Sequence, residues 1–348
     1  MGCGGSKDAT ASQPEKHARE HAHGKARRLS VATGAMDMEE NATEMEGGEP
    51  AGGTGDDGPK WLRYAAVSNA GCSAPGIKKK NQDAGLVVPC FNGKAHQMFF
   101  SVFDGHGQTG HFCSAFIKKE FPEIALEKFT ANGVADLAPG TLRDNEAAVR
   151  KAMEETFTTL DSKLCASNID CMLSGSTAVS VYMCGRQLAV GNAGDSRAVL
   201  GSDGGKFTEL SIDQKPEDPQ EKKRIEQMGG VVRQLYDEEY NEYVGPHRVW
   251  SKEFNCEAPG IAMARSIGDQ LAADCGVICH PEVKFFDLDV GPNGKDKFIA
   301  VCSDGVHVFC LFVFLRQHRK PFRRRCISCR LIAFSLFSFR ARQVGVHR

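Results

Sequence analysis

Two apolar runs in this chain end on the same pair of residues. Residues 99–103 (FFSVF) stop at Asp104-Gly105, and residues 297–303 (KFIAVCS) stop at Asp304-Gly305. An apolar run of this length without clean alternation is the pattern of a buried strand. Each strand therefore delivers a carboxylate and a flexible backbone carbonyl at its end. No local motif joins positions two hundred residues apart, so the repetition is a sign that the two strand ends meet in the fold. After the first run comes His106, which sets an imidazole beside the carboxylate and the carbonyl. That trio suits a metal site with a proton donor next to it. Taken alone, Asp-Gly-His-Gly reads more readily as a tight glycine turn leading into a capped helix, and both readings stand at this point.

Composition excludes more than it selects. A chain of 348 residues holds one large domain or two modest ones, and 41% hydrophobic content supports a core. Forty-three basic residues against 44 acidic ones leave a net charge of -1, so no global field points to nucleic acid. The 14 cysteines form no regular framework and the start has no signal-peptide pattern, which reads as reduced thiols in a cytoplasmic protein. Cys326-x-x-Cys329 is a single pair, and Cys275, Cys279 and His280 form a loose cluster; neither has the spacing of a structural zinc site. The apolar run 306–315 is about half the length of a spanning helix.

Along the chain, Met1-Gly2-Cys3-Gly4-Gly5-Ser6 fits the myristoylation pattern at Gly2, with Cys3 placed for a second acyl chain. One acyl chain binds a membrane marginally and two bind stably, so the expectation is a cytoplasmic protein held at a membrane surface. Residues 1–59 have almost no large apolar side chains and read as a disordered, lipidated tether. Within it, Arg27-Arg28-Leu29-Ser30 resembles a basophilic kinase site, and Asn41-Ala42-Thr43 is a glycosylation sequon in spelling alone. Residues 60–305 read as the ordered domain and 306–348 as a tail of different character.

Strands are expected at 64–69 and 84–88, around a basic loop that ends Lys78-Lys79-Lys80-Asn81-Gln82-Asp83. A lysine beside a metal centre is well placed to hold a phosphate dianion; three in a row also read as solvated charge. Helices are expected at 110–120 and 142–165, then strands at 178–183, 187–192, 196–200 and 206–212, with Asp195 in a turn. A charged helix at 219–228 stops at Gly229-Gly230, 236–243 is an exposed acidic and aromatic loop or flap, and 282–286 is a strand. Many short strands, two long helices and carboxylates at strand ends suggest an α+β fold, an antiparallel β-sandwich flanked by helices that binds hard cations in a cleft between its sheets. Two divalent ions ~3.5–4 Å apart in such a cleft activate water and clamp a phosphoryl group.

At this point eight motifs in order resemble the metal-dependent protein phosphatase 2C family: NQD at 81–83, FDGHG at 103–107, SGSTA at 174–178, GDSRA at 194–198, DQKPEDPQEKKRI at 213–225, GG at 229–230, ARSIGD at 264–269 and SDG at 303–305. The resemblance implies paired antiparallel sheets with helices outside, two Mg or Mn ions and a weaker third, and hydrolysis of phosphoserine or phosphothreonine in phosphoprotein substrates by metal-activated water. By position, Asp104 would bridge the metals, the Gly105 carbonyl would bind one, Asp304 would bind the second, and His106 would be the general acid. Lys78 would contact phosphate, Gln82 and Asp83 would order metal-bound water, and Asp195 would lie near the third metal. Ser176, Thr177, Arg197, Arg265 and Asp269 are expected to be mainly structural, and the protein to be a monomer.

The match ends after Gly305. The family continues with an acidic residue near position 308 and a closing strand that starts with Asp-Asn; neither is present here. Residues 306–348 hold no Asp or Glu, ten Lys or Arg and seven Phe. The expectation is a sandwich with its closing strands missing and one metal ligand short. Either the tail is a true truncation, or it is sequence foreign to the domain, such as a retained intron, which the abrupt change in composition favours. The alternative function is a catalytically impaired module that binds phosphoproteins at a membrane.

Overall fold

The computed structural model describes residues 44–48, 62–68, 70, 72–73, 77–291, 293–307 and 333–339. Gly2, Cys3, Ser30, Asn41, Cys326 and Cys329 lie outside the described residues. In chain order come β1 (Glu44–Gly48), β2 (Leu62–Ser68), β3 (Cys72–Ser73), β4 (Ile77–Lys78), β5 (Asp83–Val88) and β6 (Gln97–His106). The helices α1 (Gly110–Ala131) and α2 (Glu146–Cys165) follow. Then come β7 (Gly175–Ser176), β8 (Ala178–Cys184), β9 (Gln187–Ala193), β10 (Arg197–Ser202), β11 (Lys206–Glu209), α3 (Pro219–Gln227), β12 (Gly230–Asp237), β13 (Glu242–Ser251), β14 (Pro259–Ile261) and β15 (Ile267–Gly268). The last are α4 (Gln270–Ala273), β16 (Glu282–Asp287), β17 (Asp296–Cys302), α5 (Asp304–His307) and β18 (Ala333–Phe339).

Two large antiparallel sheets form the sandwich that the sequence suggests. One has the order β15-β7-β6-β8-β9-β16 with β5 also on β6, and the other β1-β2-β18-β17-β10-β11. β6 shows why its sequence lacks alternation. Phe99 and Phe103 enter a core shared with Phe121 and Phe129 of α1 and Phe157 of α2. Met98, Phe100 and Val102 enter a second core with Val181 and Val190 of their own sheet and Ile299 and Val301 of the other. Both faces of β6 are covered, one by helices and one by the opposite sheet, so apolar residues suit both sides. Burial of each such Phe stabilises the strand by about 1.5–3 kcal/mol. The strand that carries Asp104 is therefore a firm platform.

Two expectations need correction. α1 runs on to Ala131 rather than 120, with Pro122 inside it. Ile124, Ala125 and Phe129 keep one face buried beyond the proline, and that packing outweighs its local cost. Residues 236–243, expected as an exposed loop or flap, are the exposed turn end of the β12–β13 hairpin, with Tyr236 paired opposite Tyr243. Finally, the sheet is not left open where the closing strand was expected to be missing. β18, the segment AFSLFSF of the tail, lies between β2 and β17, with Ser335 opposite both Ala66 and Val301. It is short, rich in Phe and free of Pro, Gly and charge, which is a composition that strands accept. It brings no acid to the site.

Candidate active site

β5 and β6 pair antiparallel in a register that sets Asp83 opposite Asp104. Like charges facing each other across strands are unfavourable, and here the two buried carboxyls lie close enough to act on each other's protonation. Burial pushes Asp83 up to about 6, while hydrogen bonds from Asp104 and Ser303 work against that rise. Burial also holds Asp104 well above the usual carboxylate range, and the charges of Asp83, Asp304 and Asp195 add to it. The β17 end reaches this pair directly, since Ser303 Oγ donates to Asp83 Oδ2 at 3.1 Å. Asp304, the next residue, opens α5 and is exposed. The two Asp-Gly strand ends therefore do meet, across the sandwich.

The backbone of Asp104 is fixed on β6. Its N–H donates to Thr177 Oγ1 at 3.1 Å and its carbonyl accepts from Thr177 N at 2.9 Å. Gly105 N donates to the Gln82 carbonyl at 3.0 Å, and a Cβ at Gly105 would collide with the carbonyls of Gly110 and Gln82. Glycine is required there because the α1 start and the β5 start both press on that backbone. Gln82 is committed to the same turn: its Nε2 donates to the Gly107 carbonyl at 2.7 Å. Lys78 lies on β4 opposite Cys72, and its side chain is outside what the structure describes.

Asp195 is buried, and its Oδ2 accepts from Lys215 Nζ at 2.6 Å. Burial disfavours the charged lysine, yet the Asp195 carboxylate outweighs it and holds the Lys215 pKa above its ordinary value. At His106, Nε2 lies 2.6 Å from Asp269 Oδ2. Burial works against the charged imidazole there too, and the Asp269 charge and hydrogen bond raise its pKa nonetheless. Sequence reasoning missed Lys215 altogether and gave Asp269 a structural part. Both belong to quoted motifs, DQKP and SIGD, but nothing in their spacing says which carboxylate or imidazole they reach.

Among the described residues no group of three or more His, Cys, Asp or Glu side chains is arranged to hold a metal ion. The donor types still fit a hard cation: carboxylates at 83, 104 and 304 and the Gly105 carbonyl supply only oxygen, and burial together with the neighbouring acidic charges disfavours the ionised form of Asp104. The set is right in kind and short of a closed cage, in keeping with the acids that the sequence lacks after Gly305.

The model of the family described as Protein phosphatase 2C matches residues 68–308. The chain belongs to the protein phosphatase 2C family. It is 33% identical over 289 residues to "Probable protein phosphatase 2C 48" of Oryza sativa subsp. japonica, covering 75% of this chain and 79% of that protein. It is 39% identical over 239 residues to "Probable protein phosphatase 2C 64" of the same organism, covering 66% of this chain and 51% of that protein. Among solved structures, the serine-threonine phosphatase 2C from Toxoplasma gondii superposes with a TM-score of 0.64 at 18% identity, over 86% of this chain and all of that one. That likeness establishes the shared fold. By class the chain is a protein serine/threonine phosphatase. Among the described residues no helix is long and apolar enough to cross a membrane.

Proposed function

We propose that this chain hydrolyses phosphoserine and phosphothreonine in proteins with the help of Mg or Mn. The observation that carries the reading is the facing pair Asp83 and Asp104, joined from the opposite sheet by Ser303 and Asp304. Carboxylates gathered in this way cost free energy unless protons or cations sit among them. Asp104, the Gly105 carbonyl and Asp304 would hold the ions, with Asp83 and Gln82 ordering water beside them. A divalent ion supplies Lewis acidity to the phosphoryl oxygens and lowers the pKa of water. The chain's own part is orientation and proton delivery: Asp104 is fixed by Thr177, Lys78 offers an ammonium to the phosphate, and His106 gives a proton to the departing seryl or threonyl oxygen.

Asp195 has a lysine on it, so only two ions are proposed. Acylation of Gly2 and Cys3 would hold the monomer at the cytoplasmic membrane surface, a reading that rests on the sequence pattern; no uptake of labelled myristate at Gly2 would remove it. The direct test of the enzyme reading is phosphate release from a phosphoserine peptide. Release with Mn that stops on adding EDTA is expected. Binding of the peptide without release would instead support the impaired binding module.

A further inference from the structure

The end of β6 and two short strands bring His106 and Asp269 together. β7 lies between the end of β6 and β15, with His106 opposite Gly175 and Gly175 opposite Gly268. Asp269 follows Gly268 directly, so its carboxylate reaches His106 over a residue without a side chain. A Cβ at Gly175 would collide with the Asp269 carboxylate. The resulting contact, Nε2 to Oδ2 at 2.6 Å, has a carboxylate side chain that is only 6% exposed.

Asp269 is the residue that leads into α4. Its backbone is left-handed, with φ 50° and ψ 50°, a region that non-glycine residues seldom occupy. Its N–H donates to the Ser174 carbonyl at 3.0 Å. One residue earlier, Gly268 N donates to Asp161 Oδ1 of α2 at 2.8 Å. A long helix thus fixes the turn that aims the carboxylate. On the imidazole, Nδ1 is enclosed and has no side-chain hydrogen-bond partner among the described residues, so Asp269 is the one side chain there that holds the ring.

We propose that Asp269 is a positioning residue for proton delivery by His106. By accepting the Nε2 proton it fixes the tautomer and direction of the ring, the role of the carboxylate in other acid–base constellations. The inference rests on the phosphatase reading above. In the step concerned, the oxygen of water bonds to phosphorus, giving up one proton to solvent, as the ester P–O bond breaks. The electron pair of that bond stays on the seryl or threonyl oxygen, which takes a proton from His106, and the imidazole is reprotonated from solvent. Asp269 neither gives nor takes a proton.

The test compares two substrates with Mn present. A phosphoserine peptide releases a poor leaving group that needs a proton, whereas p-nitrophenyl phosphate releases one that does not. In Asp269→Asn, kcat on the peptide should fall roughly 10–10²-fold further than kcat on p-nitrophenyl phosphate, within the range that general acids contribute. His106→Ala should show the same split, and the double variant should be no worse than His106→Ala alone. Asp269→Glu, which keeps the charge and misplaces it by one methylene, should give a smaller split and serves if the Asn variant folds poorly. Equal losses on both substrates, or no loss on either, overturn the positioning role and leave the phosphatase reading intact. A wild-type chain that hydrolyses neither substrate overturns both.

Discussion

The two Asp-Gly pairs begin as the same device in the sequence and finish in different surroundings. Asp104-Gly105 sits on a strand with both faces covered, its backbone held by Thr177 and Gln82, in a seat too tight for any side chain at Gly105. Asp304-Gly305 opens a four-residue helix, with Asp304 exposed, and no acid follows it in the sequence. On the proposed reading, the difference means that what holds a carboxylate matters to cation binding as much as the carboxylate itself. A carboxylate pinned on a covered strand is already placed for a cation, whereas one at an exposed helix start has to be drawn in.

The largest effect should come from the first side. Asp104→Asn should lower Mn-dependent phosphopeptide turnover on the order of 10³-fold, because it removes charge stabilisation worth several kcal/mol from the fixed part of the site. Asp304→Asn should cost much less, roughly tenfold in kcat/KM. Steady-state kinetics of the two variants side by side would break the comparison if the losses were equal.

Part of this contrast was legible in the sequence. The apolar runs ending at Asp104 and Asp304 gave both strands, and the ordered motifs carried the fold and the acid cluster. Asp269 and Lys215 were not legible, because their partners lie 163 and 20 residues away and only the pairing of β6, β7 and β15 or the turn after β11 brings them close. β18 was hidden for another reason. Its strand-like composition was in view, but the change in charge and in family pattern around it argued against a place in the sheet, and only the gap between β2 and β17 provides one.

A smaller effect sharpens the account of the pinned pair. Folding raises the carboxyl pKa of Asp83 to about 6 and that of Asp104 well above its usual value. The native state therefore binds protons more tightly than the unfolded chain, and stability without a divalent ion should be full below about pH 4 as far as these two groups are concerned. It should be lost progressively as pH rises through about 6 and beyond. Cations compete with those protons, so the gain in Tm on adding Mg should be larger at about pH 7.5 than at about pH 5. Each kcal/mol of difference appears as roughly 2–4 °C in a domain of this size. A gain that is the same at both pH values would separate the acid pair from cation binding.

The most direct measurement is calorimetric titration of Mn into the wild-type protein and into Asp104→Asn at neutral pH. The account predicts saturable binding to the wild type and its loss in the variant. Equal binding by both proteins, or none by the wild type at millimolar Mn, would contradict the claim that the Asp83–Asp104 pair is built to hold a cation.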